Sequence, residues 1–359
     1  MKKSIYYLLI ILFIIVLPGC KTTKTEETSE SISFDIGAAK NVVNTYMNNL
    51  MKENYENIKK LYVKELAESK SNMSNNDLKI KGYNITEINE IGRSGIFKVK
   101  VTRTDMKRTS ASLDEYAIKV IKDGAEYKIS EINDTVEKEC FLEGEGLRNR
   151  SKNDVKTNLI IDYSGIPQYV FSKDDKAEIY KNTVPKENFG TINFSFSGER
   201  LAFSTFGKDA YLGVVLIDES LQVQGESGGN TLSSQGDTGG SNVKAKEKPI
   251  GKEVVSLDLI NDSKIEFITF SLDEKFILAQ YIKPNSLKCI RIYKTNSGEI
   301  IPLKFEDNYD LTKVDIIFSS FDKDVLNYEV VEKGTIDKSQ TDIVGRWKLD
   351  LRDFKVKKL

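Results

Sequence analysis

The polar and apolar positions change period partway along the chain. From Asp35 to Leu66, apolar residues recur every three or four positions with charged residues between them, which predicts amphipathic helices with Asp35 as N-cap. Between Ile96 and Arg103 every second residue is apolar, which predicts a half-buried strand. The same alternation returns over 116–120. The side chains expected to point inward are Phe97, Val99, Val101, Ile118 and Val120.

A turn signal follows the second alternating run. Asp123-Gly124 lies between alternating segments, and this dipeptide predicts a β-hairpin because both of its residues tolerate positive φ. Helices followed by an antiparallel sheet that ends in the hairpin IKDGAEYKI resemble the NTF2-like fold over about residues 36–134. The resemblance implies an α+β domain at 34–136, in which a cone of curved sheet wraps around the helices.

The NTF2-like resemblance leaves the function open. It implies relatives that include isomerases working through an acid and a Tyr inside the cone, as well as binding and spacer modules. Tyr46, Tyr62 and Tyr116 are therefore candidates to line a cavity. Aromatic residues at core spacing more often serve packing, and none of the apolar side chains expected to face inward can transfer a proton.

The rest of the chain contains a repeated strand-turn-strand pattern. It reads INFSFSGERLAF, FITFSLDEKFILA and DIIFSSFDKDVLNY, and we take Phe196, Phe270 and Phe318 as equivalent positions. The turn resembles the repeats of TolB-like and WD40-like propellers, and a period in the forties is the size of a propeller blade. The resemblance implies an all-β domain at 137–359, which is a small or incomplete propeller. A β-sandwich is the alternative.

One stretch interrupts the repeats. Residues 219–250 are rich in Gly, Ser, Gln and Asn and contain few large apolar residues. Such a composition cannot bury enough surface to fold, so we predict a disordered insert between strands.

The beginning of the chain has the pattern of an export signal. Lys2 and Lys3 precede an apolar run from Ile5 to Leu17. As a helix this run is roughly 20 Å long, too short for a hydrocarbon core about 30 Å thick. The polar residues 21–33 that come after it cannot form a core, and we predict that they are a flexible tether.

A lipidation motif ends the signal. Leu17-Pro18-Gly19-Cys20 resembles the lipobox of bacterial lipoproteins. The resemblance implies a signal peptide at 1–20, cleavage between Gly19 and Cys20, and acylation of Cys20, which would anchor the protein to the membrane. A plain secretory signal and an uncleaved anchor are the alternatives.

The composition excludes several kinds of chemistry. Lys and Arg number 53 against 54 Asp and Glu, and the net charge of −1 offers no basic surface for nucleic acid. The chain has no His, which removes the commonest proton shuttle and the commonest transition-metal ligand. Cys140 and Cys289 could form a disulfide only if their Cα atoms came within about 7 Å, and two free, partly buried thiols are expected instead.

Other motifs carry little functional weight. Ser227 lies in a G-x-S-x-G pattern, but it lacks both the strand-to-helix turn and the base that a nucleophile needs. The acidic pairs Asp174-Asp175 and Asp322 with Asp324 lack the spacing of a calcium loop and are expected to be solvated turns. We therefore predict no catalytic, cofactor-binding or metal-binding residue.

These patterns together predict a lipid-anchored, extracytoplasmic protein of the cell membrane. Its expected role is that of a protein-interaction or scaffold module for an unidentified envelope protein or peptide, without a cofactor and without enzymatic activity. One alternative is a hydrolase or isomerase that uses Asp, Glu or Tyr in a domain cavity. Another is a lipoprotein that binds a small ligand.

Overall fold

The protein is described by a computed structural model. The described residues are 34–70, 77–220, 247–284, 287–333 and 342–359. The predicted signal peptide and tether, with Gly19 and Cys20, lie outside them. Asp35–Leu359 forms one compact unit. No helix within the described ranges combines the length and the apolar composition that crossing a membrane requires.

Three helices open this unit: α1 (Ile36–Met51), α2 (Tyr55–Lys59) and α3 (Lys64–Ser69). The Asp35 carboxylate accepts hydrogen bonds from Gly37 N at 2.8 Å and from Ala38 N at 3.0 Å, so the predicted N-cap is confirmed.

An antiparallel meander of six strands follows the helices. Its strands are β1 (Leu78–Ile91), β2 (Ser94–Asp105), β3 (Ser110–Asp123), β4 (Glu126–Glu143), β5 (Gly146–Ser151) and β6 (Asn158–Asp162). This first sheet curls into a half-barrel, and α1 lies against β1 to β4. Asp123 pairs with Glu126 and Gly124 has φ of 60°, which confirms the predicted hairpin. The five side chains predicted to face inward are all fully buried.

The regular structure described in the remaining chain is almost all strand. The strands are β7 (Tyr169–Phe171), β8 (Lys181–Thr183), β9 (Asn188–Phe194), β10 (Arg200–Phe206), β11 (Ala210–Ile217), β12 (Gly251–Ile260), β13 (Lys264–Phe270), β14 (Phe276–Lys283), β15 (Leu287–Lys294), β16 (Val314–Asp322), β17 (Val325–Glu332), β18 (Gly345–Asp350) and β19 (Val356–Lys358). A one-turn helix, α4 (Phe305–Asn308), separates β15 from β16. After the β7–β8 hairpin come three antiparallel meanders, β9–β12, β13–β15 and β16–β19. The protein is therefore mostly β.

The first sheet packs its outer face on β9 and β13 through hydroxyl-bearing residues. The Thr104 hydroxyl donates to the Ile192 carbonyl at 2.9 Å, and the Thr269 hydroxyl donates to the Lys81 carbonyl at 3.0 Å. Gly82 allows this close approach, because a Cβ there would lie 3.0 Å from Thr269 Oγ1. These bonds satisfy polar groups that would otherwise be costly to bury.

The predicted domain boundary between residues 136 and 137 falls inside β4. An apolar cluster crosses it, with Leu113 and Cys140 of the first sheet packed among Phe194 of β9 and Leu201 of β10. The alternating pattern treated the outer face of the first sheet as solvent-exposed, whereas part of that face is a packing surface.

Two of the predicted repeats share one turn. The Ser195 hydroxyl accepts a hydrogen bond from Arg200 N at 3.2 Å, and the Ser271 hydroxyl accepts one from Phe276 N at 3.0 Å. In both cases the serine closes the turn between the first and second strands of a meander, so Ser195 and Ser271 are equivalent positions.

This equivalence corrects the alignment of the repeats. Phe194 matches Phe270, so the equivalence assumed between Phe196 and Phe270 is wrong by two residues. The dipeptide Phe-Ser begins at both 194 and 196, and only the hydrogen bonds distinguish the two. The third repeat has a different turn, because Asp322 pairs directly with Val325 and leaves a loop of two residues.

Most of the insert predicted at 219–250 lies outside the described residues, which resume after 221–246. Its described ends belong to the fold. Glu219 accepts a hydrogen bond from the Lys138 ammonium at 2.8 Å, and Ile250 is buried. The predicted range of 219–250 therefore extends too far at both ends.

Candidate functional site

The inward face of the first sheet changes from apolar to polar along its strands. On β2, Val101 is followed at the next inward position by Arg103. On β3, cross-strand pairing places Asp114 opposite Val101 and Tyr116 opposite Val99. Because directly paired residues share a face, the three polar side chains gather at one end of an otherwise apolar surface.

Arg103 and Tyr116 border a cavity of about 220 Å³ between α1 and the first sheet, and Asp114 lies beside Arg103 without lining it. We call this cavity the concave pocket. The polar side chains on its wall are those of Tyr46, Glu53, Tyr55, Lys70, Lys79, Arg103, Tyr116 and Asp134.

The Arg103 guanidinium is bound by two neighbouring side chains of β3, Asp114 and Tyr116. Its Nε lies 2.9 Å from Asp114 Oδ2, and the guanidinium donates to the Tyr116 hydroxyl. Asp114 is only 3% exposed. Burial raises the pKa of the Asp114 carboxyl, and the neighbouring Arg103 offsets only part of that rise.

Tyr46 of the pocket and its neighbour Tyr62 stay protonated near neutral pH. Burial raises the pKa of Tyr46 well above its ordinary value, and nearby Tyr62 adds to the rise. Burial also raises the pKa of Tyr62 to about 12. The two hydroxyls are 3.4 Å apart. Of the three tyrosines named as candidates to line a cavity, Tyr46 and Tyr116 line the pocket and Tyr62 does not, although its hydroxyl is close to that of Tyr46.

The concave pocket contains both hydrogen-bond donors and hydrogen-bond acceptors. Arg103 and the protonated phenols offer hydrogen-bond donors, while Glu53 and the exposed Asp134 offer acceptors. Both kinds of partner surround one small volume. The arrangement is suited to holding a compact polar molecule.

A second and larger cavity, of about 850 Å³, lies at one rim of the molecule. We call it the rim groove. It is bounded by the β2–β3 turn (105–109), the start of β9, the β10–β11 turn (206–210), the β12–β13 turn (262–264) and the end of β14. Turns from three sheets therefore meet around a single cavity.

The rim groove lies at the far end of β3 from the start of the compact unit. The Asp35 backbone N–H donates to the Tyr127 hydroxyl at 2.7 Å, beside the β3–β4 turn. The groove touches the opposite end of β3, at Thr109. Over the 14 residues of β3, a strand extends roughly 45 Å.

The acidic pairs considered from the sequence have structural partners. Asp174 is an exposed turn residue, as predicted, but its carboxylate also binds the buried Arg291 at 2.8 Å. Asp175 accepts hydrogen bonds from two backbone N–H groups of its own turn, and Asp322 accepts one from the Asn327 amide at 2.8 Å. Among the residues that the structure describes, no group of three acids or cysteines is placed to hold a metal ion.

Arg291 of β15 is the centre of a buried charge cluster. Its guanidinium also lies 2.9 Å from Asp258 of β12 and 2.6 Å from Glu306 of α4. Tyr293 donates to the same Asp258 carboxylate at 2.8 Å. Because the partners come from separate elements, the cluster fastens these elements to one another.

The structure also describes the two cysteines considered from the sequence, Cys140 and Cys289. Cys140 and Cys289 are free thiols, as predicted, but fully buried and not partly so. Burial raises the pKa of Cys289 to about 12, which makes it an unreactive side chain. Cys20, Gly19 and Ser227 lie outside the described residues.

The sequence interpretation missed Arg103 and Asp114. Arg103 follows Val101 by two residues on β2, and Asp114 precedes Tyr116 by two residues on β3. The two-residue period of the strands therefore indicated that both side chains face inward. This indication was overlooked because charged residues at the end of an apolar run were taken as the end of the buried face. The rim groove had no such signal, since its turns are distant in sequence.

Comparisons with known proteins identify no family. Neither protein-family models nor curated proteins match the chain. Among solved structures, one from a study of two prolyl endopeptidases has a TM-score of 0.26 and 8% identity, and the match covers 89% of this chain and 38% of that one. A puromycin-hydrolyzing peptidase of Mycobacterium tuberculosis has a TM-score of 0.22 and 10% identity, and the match covers 79% and 53%. The chain thus spans less than two thirds of either protein, and scores of this size establish neither a shared fold nor a shared function.

Proposed function

We propose that this chain is an extracytoplasmic lipoprotein, anchored through Cys20, that binds an envelope protein or peptide at the rim groove. In this proposal an NTF2-like module is joined to a propeller-like β region. The helices against a curled sheet support the first part, and three successive antiparallel meanders support the second. The function is interaction or scaffolding.

The position of the rim groove is the observation that carries the proposal. The tether enters the compact unit at Asp35, at one end of β3, and the groove opens at the other end. Within the compact unit the groove therefore lies remote from Asp35, and an attachment that precedes this residue in the chain would leave the groove accessible. Loops gathered on a rigid β scaffold are a common way to build a binding surface.

The anchor is tested with the Cys20→Ala variant. We expect it to lose labelling by a fatty-acid analogue and to leave the membrane fraction, or to remain unprocessed. The Cys289→Ala variant is the control, because it removes a thiol buried in the fold. Labelling of Cys20→Ala at the level of the control would refute lipidation at this residue.

The binding role is tested in cells with the full-length chain. In one variant a photo-crosslinking amino acid replaces Phe206, an exposed residue of the groove. In the control variant it replaces Lys176, an exposed residue of the β7–β8 loop that does not line the groove. We expect a discrete adduct with one envelope protein from position 206 and none from position 176. Identical adduct patterns from both positions would contradict the groove as the binding surface.

The concave pocket supports a second candidate, the capture of a small polar ligand. Arg103 is fixed by Asp114 and Tyr116 and faces a cavity that also holds Tyr46. A ligand that binds only the folded protein must raise the melting temperature. We expect a polar metabolite to do so for the native chain and not for the Arg103→Met variant. Equal shifts in both proteins would place the ligand elsewhere.

An enzyme that works through Asp, Glu or Tyr remains the weaker alternative. The raised pKa values of Tyr46 and Tyr62 make both phenols poor general bases near neutral pH. Asp114 is the carboxyl with a raised pKa, but it lies behind Arg103. Hydrolase or isomerase activity that survives in Asp114→Asn would exclude this carboxyl as the base.

A further inference from the structure

The acidic side chains of the rim groove are already engaged. Asp105 accepts hydrogen bonds from the backbone N–H groups of Lys107 and Arg108 at 2.8 and 2.9 Å. Glu266 binds the Lys288 ammonium at 2.8 Å. The third acid of the groove, Asp262, lies 3.4 Å from the Lys208 ammonium. Each carboxylate therefore has a hydrogen-bond or ion-pair partner, although Asp105 is bound only by uncharged backbone N–H groups.

The cations of the groove are only partly neutralised. Lys208 pairs with Asp262, and Lys107 lies 3.0 Å from Asp77. Within the described ranges no carboxylate forms an ion pair with the remaining three, Arg108, Lys264 and Lys283. The groove consequently has an excess of positive charge, which favours an anionic occupant.

The same groove exposes two large apolar side chains. Phe206, at the end of β10, and Met106, in the β2–β3 turn, are each 41% exposed. Gly190 makes room for the aromatic ring, because a Cβ there would lie 3.2 Å from Phe206 Cδ1. Apolar side chains left exposed inside a cavity are typical of a surface that is covered on binding. The groove thus combines unpaired positive charge and exposed apolar surface within one cavity of about 850 Å³.

We infer that the rim groove binds an extended acidic peptide segment that carries at least one large apolar side chain. Carboxylates of the segment would pair with Arg108, Lys264 and Lys283, and the apolar side chain would lie against Phe206 and Met106. This inference rests on the proposed function and specifies the chemistry of its partner.

Other anionic occupants fit less well. A phosphate polymer or a nucleic acid would release few counterions at three cations and would leave the apolar side chains uncovered. A small inorganic anion would fill only a fraction of the cavity. An acidic peptide supplies carboxylates, apolar groups and backbone partners at the same time.

The test uses the full-length lipoprotein in detergent micelles and a fluorescein-labelled peptide, Glu-Glu-Leu-Glu-Glu-Leu-Glu. Binding is measured by fluorescence anisotropy at several salt concentrations. Comparison peptides replace every Glu with Ser, or every Leu with Ser. We expect saturable binding of the first peptide that weakens with salt, and binding at least about tenfold weaker for both comparison peptides.

Matched charge variants locate the site. Lys264→Glu/Lys283→Glu reverses two groove cations, and Lys176→Glu/Lys181→Glu makes the same change of charge at exposed lysines of the β7–β8 hairpin. We expect the groove variant to lose about tenfold or more in affinity and the control to stay within about twofold of the native protein. Circular dichroism confirms that both variants are folded.

The inference is overturned if the acidic peptide does not bind, if both double variants weaken it equally, or if a fatty acid alone competes fully for the site. The photo-crosslinking experiment separates this failure from failure of the proposed function. A specific adduct at position 206 whose cross-linked segment is not acidic would leave partner binding intact and refute only the acidic chemistry.

Discussion

Arg291 Nη1 lies 2.9 Å from Asp258 Oδ2, and both side chains are almost completely buried, at 2% and 0% exposure. The pair joins β15 to β12, and Tyr293 donates to the same carboxylate. A charge buried this deeply is tolerated only while its partners remain in place.

Removing one member of this cluster is expected to destabilise the fold strongly. Arg291→Met leaves Asp258 and Glu306 without their cation, and breaking a buried pair in this way costs roughly 3–5 kcal/mol. The measurement is the urea midpoint followed by circular dichroism. Lys275→Met, which breaks an exposed pair with Asp273, is the control and should change stability by less than about 1 kcal/mol. Equal losses in both variants would contradict the assigned role of the cluster.

The buried carboxyl of Asp114 is expected to leave a signature in the pH dependence of stability. Its pKa is raised by burial, so the folded state holds this proton more tightly than the unfolded state does. The resulting stabilisation is present below the unfolded pKa of about 3.9 and is lost as pH rises through the folded pKa. Relative to Asp114→Asn, the native protein should therefore lose stability from about pH 3 upward until Asp114 is ionised.

The comparison uses urea unfolding of both proteins at each pH. The loss of the carboxylate beside Arg103 adds an offset to the variant, but this offset does not change with pH. A stability difference between the two proteins that is constant across the acidic range would show that Asp114 is not perturbed.

Gly82 is expected to be intolerant of a side chain. A Cβ would lie 3.0 Å from Thr269 Oγ1 and 3.1 Å from Phe196 Cζ, where the first sheet meets β13 and the β9–β10 turn. Overpacking of this kind typically costs 1–3 kcal/mol, and we expect about that loss in Gly82→Val by urea unfolding. Thr86→Val, at an exposed position of the same strand, is the control and should be nearly neutral. A neutral Gly82→Val would mean that the two sheets can separate without cost.

Alanine substitutions at the turn serines test the corrected repeat alignment, in which Ser195 and Ser271 are equivalent, against the alignment based on Phe-Ser dipeptides. Ser271→Ala removes the acceptor of the Phe276 N–H and should cost about 1 kcal/mol. Ser195→Ala, which removes the equivalent acceptor, should cost a similar amount. Ser319→Ala, at the position that the dipeptide alignment made equivalent, should change stability by less than about 0.5 kcal/mol. A loss in Ser319→Ala as large as that in Ser271→Ala would contradict the different turn assigned to the third repeat.

The sequence predicted some of the residues at the concave pocket and missed others. Alternation along β2 and β3 identified the buried positions correctly up to Val101 and from Tyr116 onward. Arg103 and Asp114 follow the same period but were excluded, since hydrophobicity was used as the criterion for burial. Their burial depends on each other, because each charge neutralises its neighbour, and no local pattern reports that relationship.

The sequence by itself determined the local structure: the helices that begin after Asp35, the alternating strands, the hairpin at Asp123-Gly124 and the presence of strand-turn-strand units. These features depend on backbone preferences and on periods that neighbouring residues impose. The tertiary structure alone decided that the first sheet and β9 share one core, that Ser195 matches Ser271, and that turns distant in the chain enclose the rim groove. These relationships join residues far apart in sequence, and hydroxyl groups such as that of Thr104 become core residues only when a partner strand arrives to accept their hydrogen bonds.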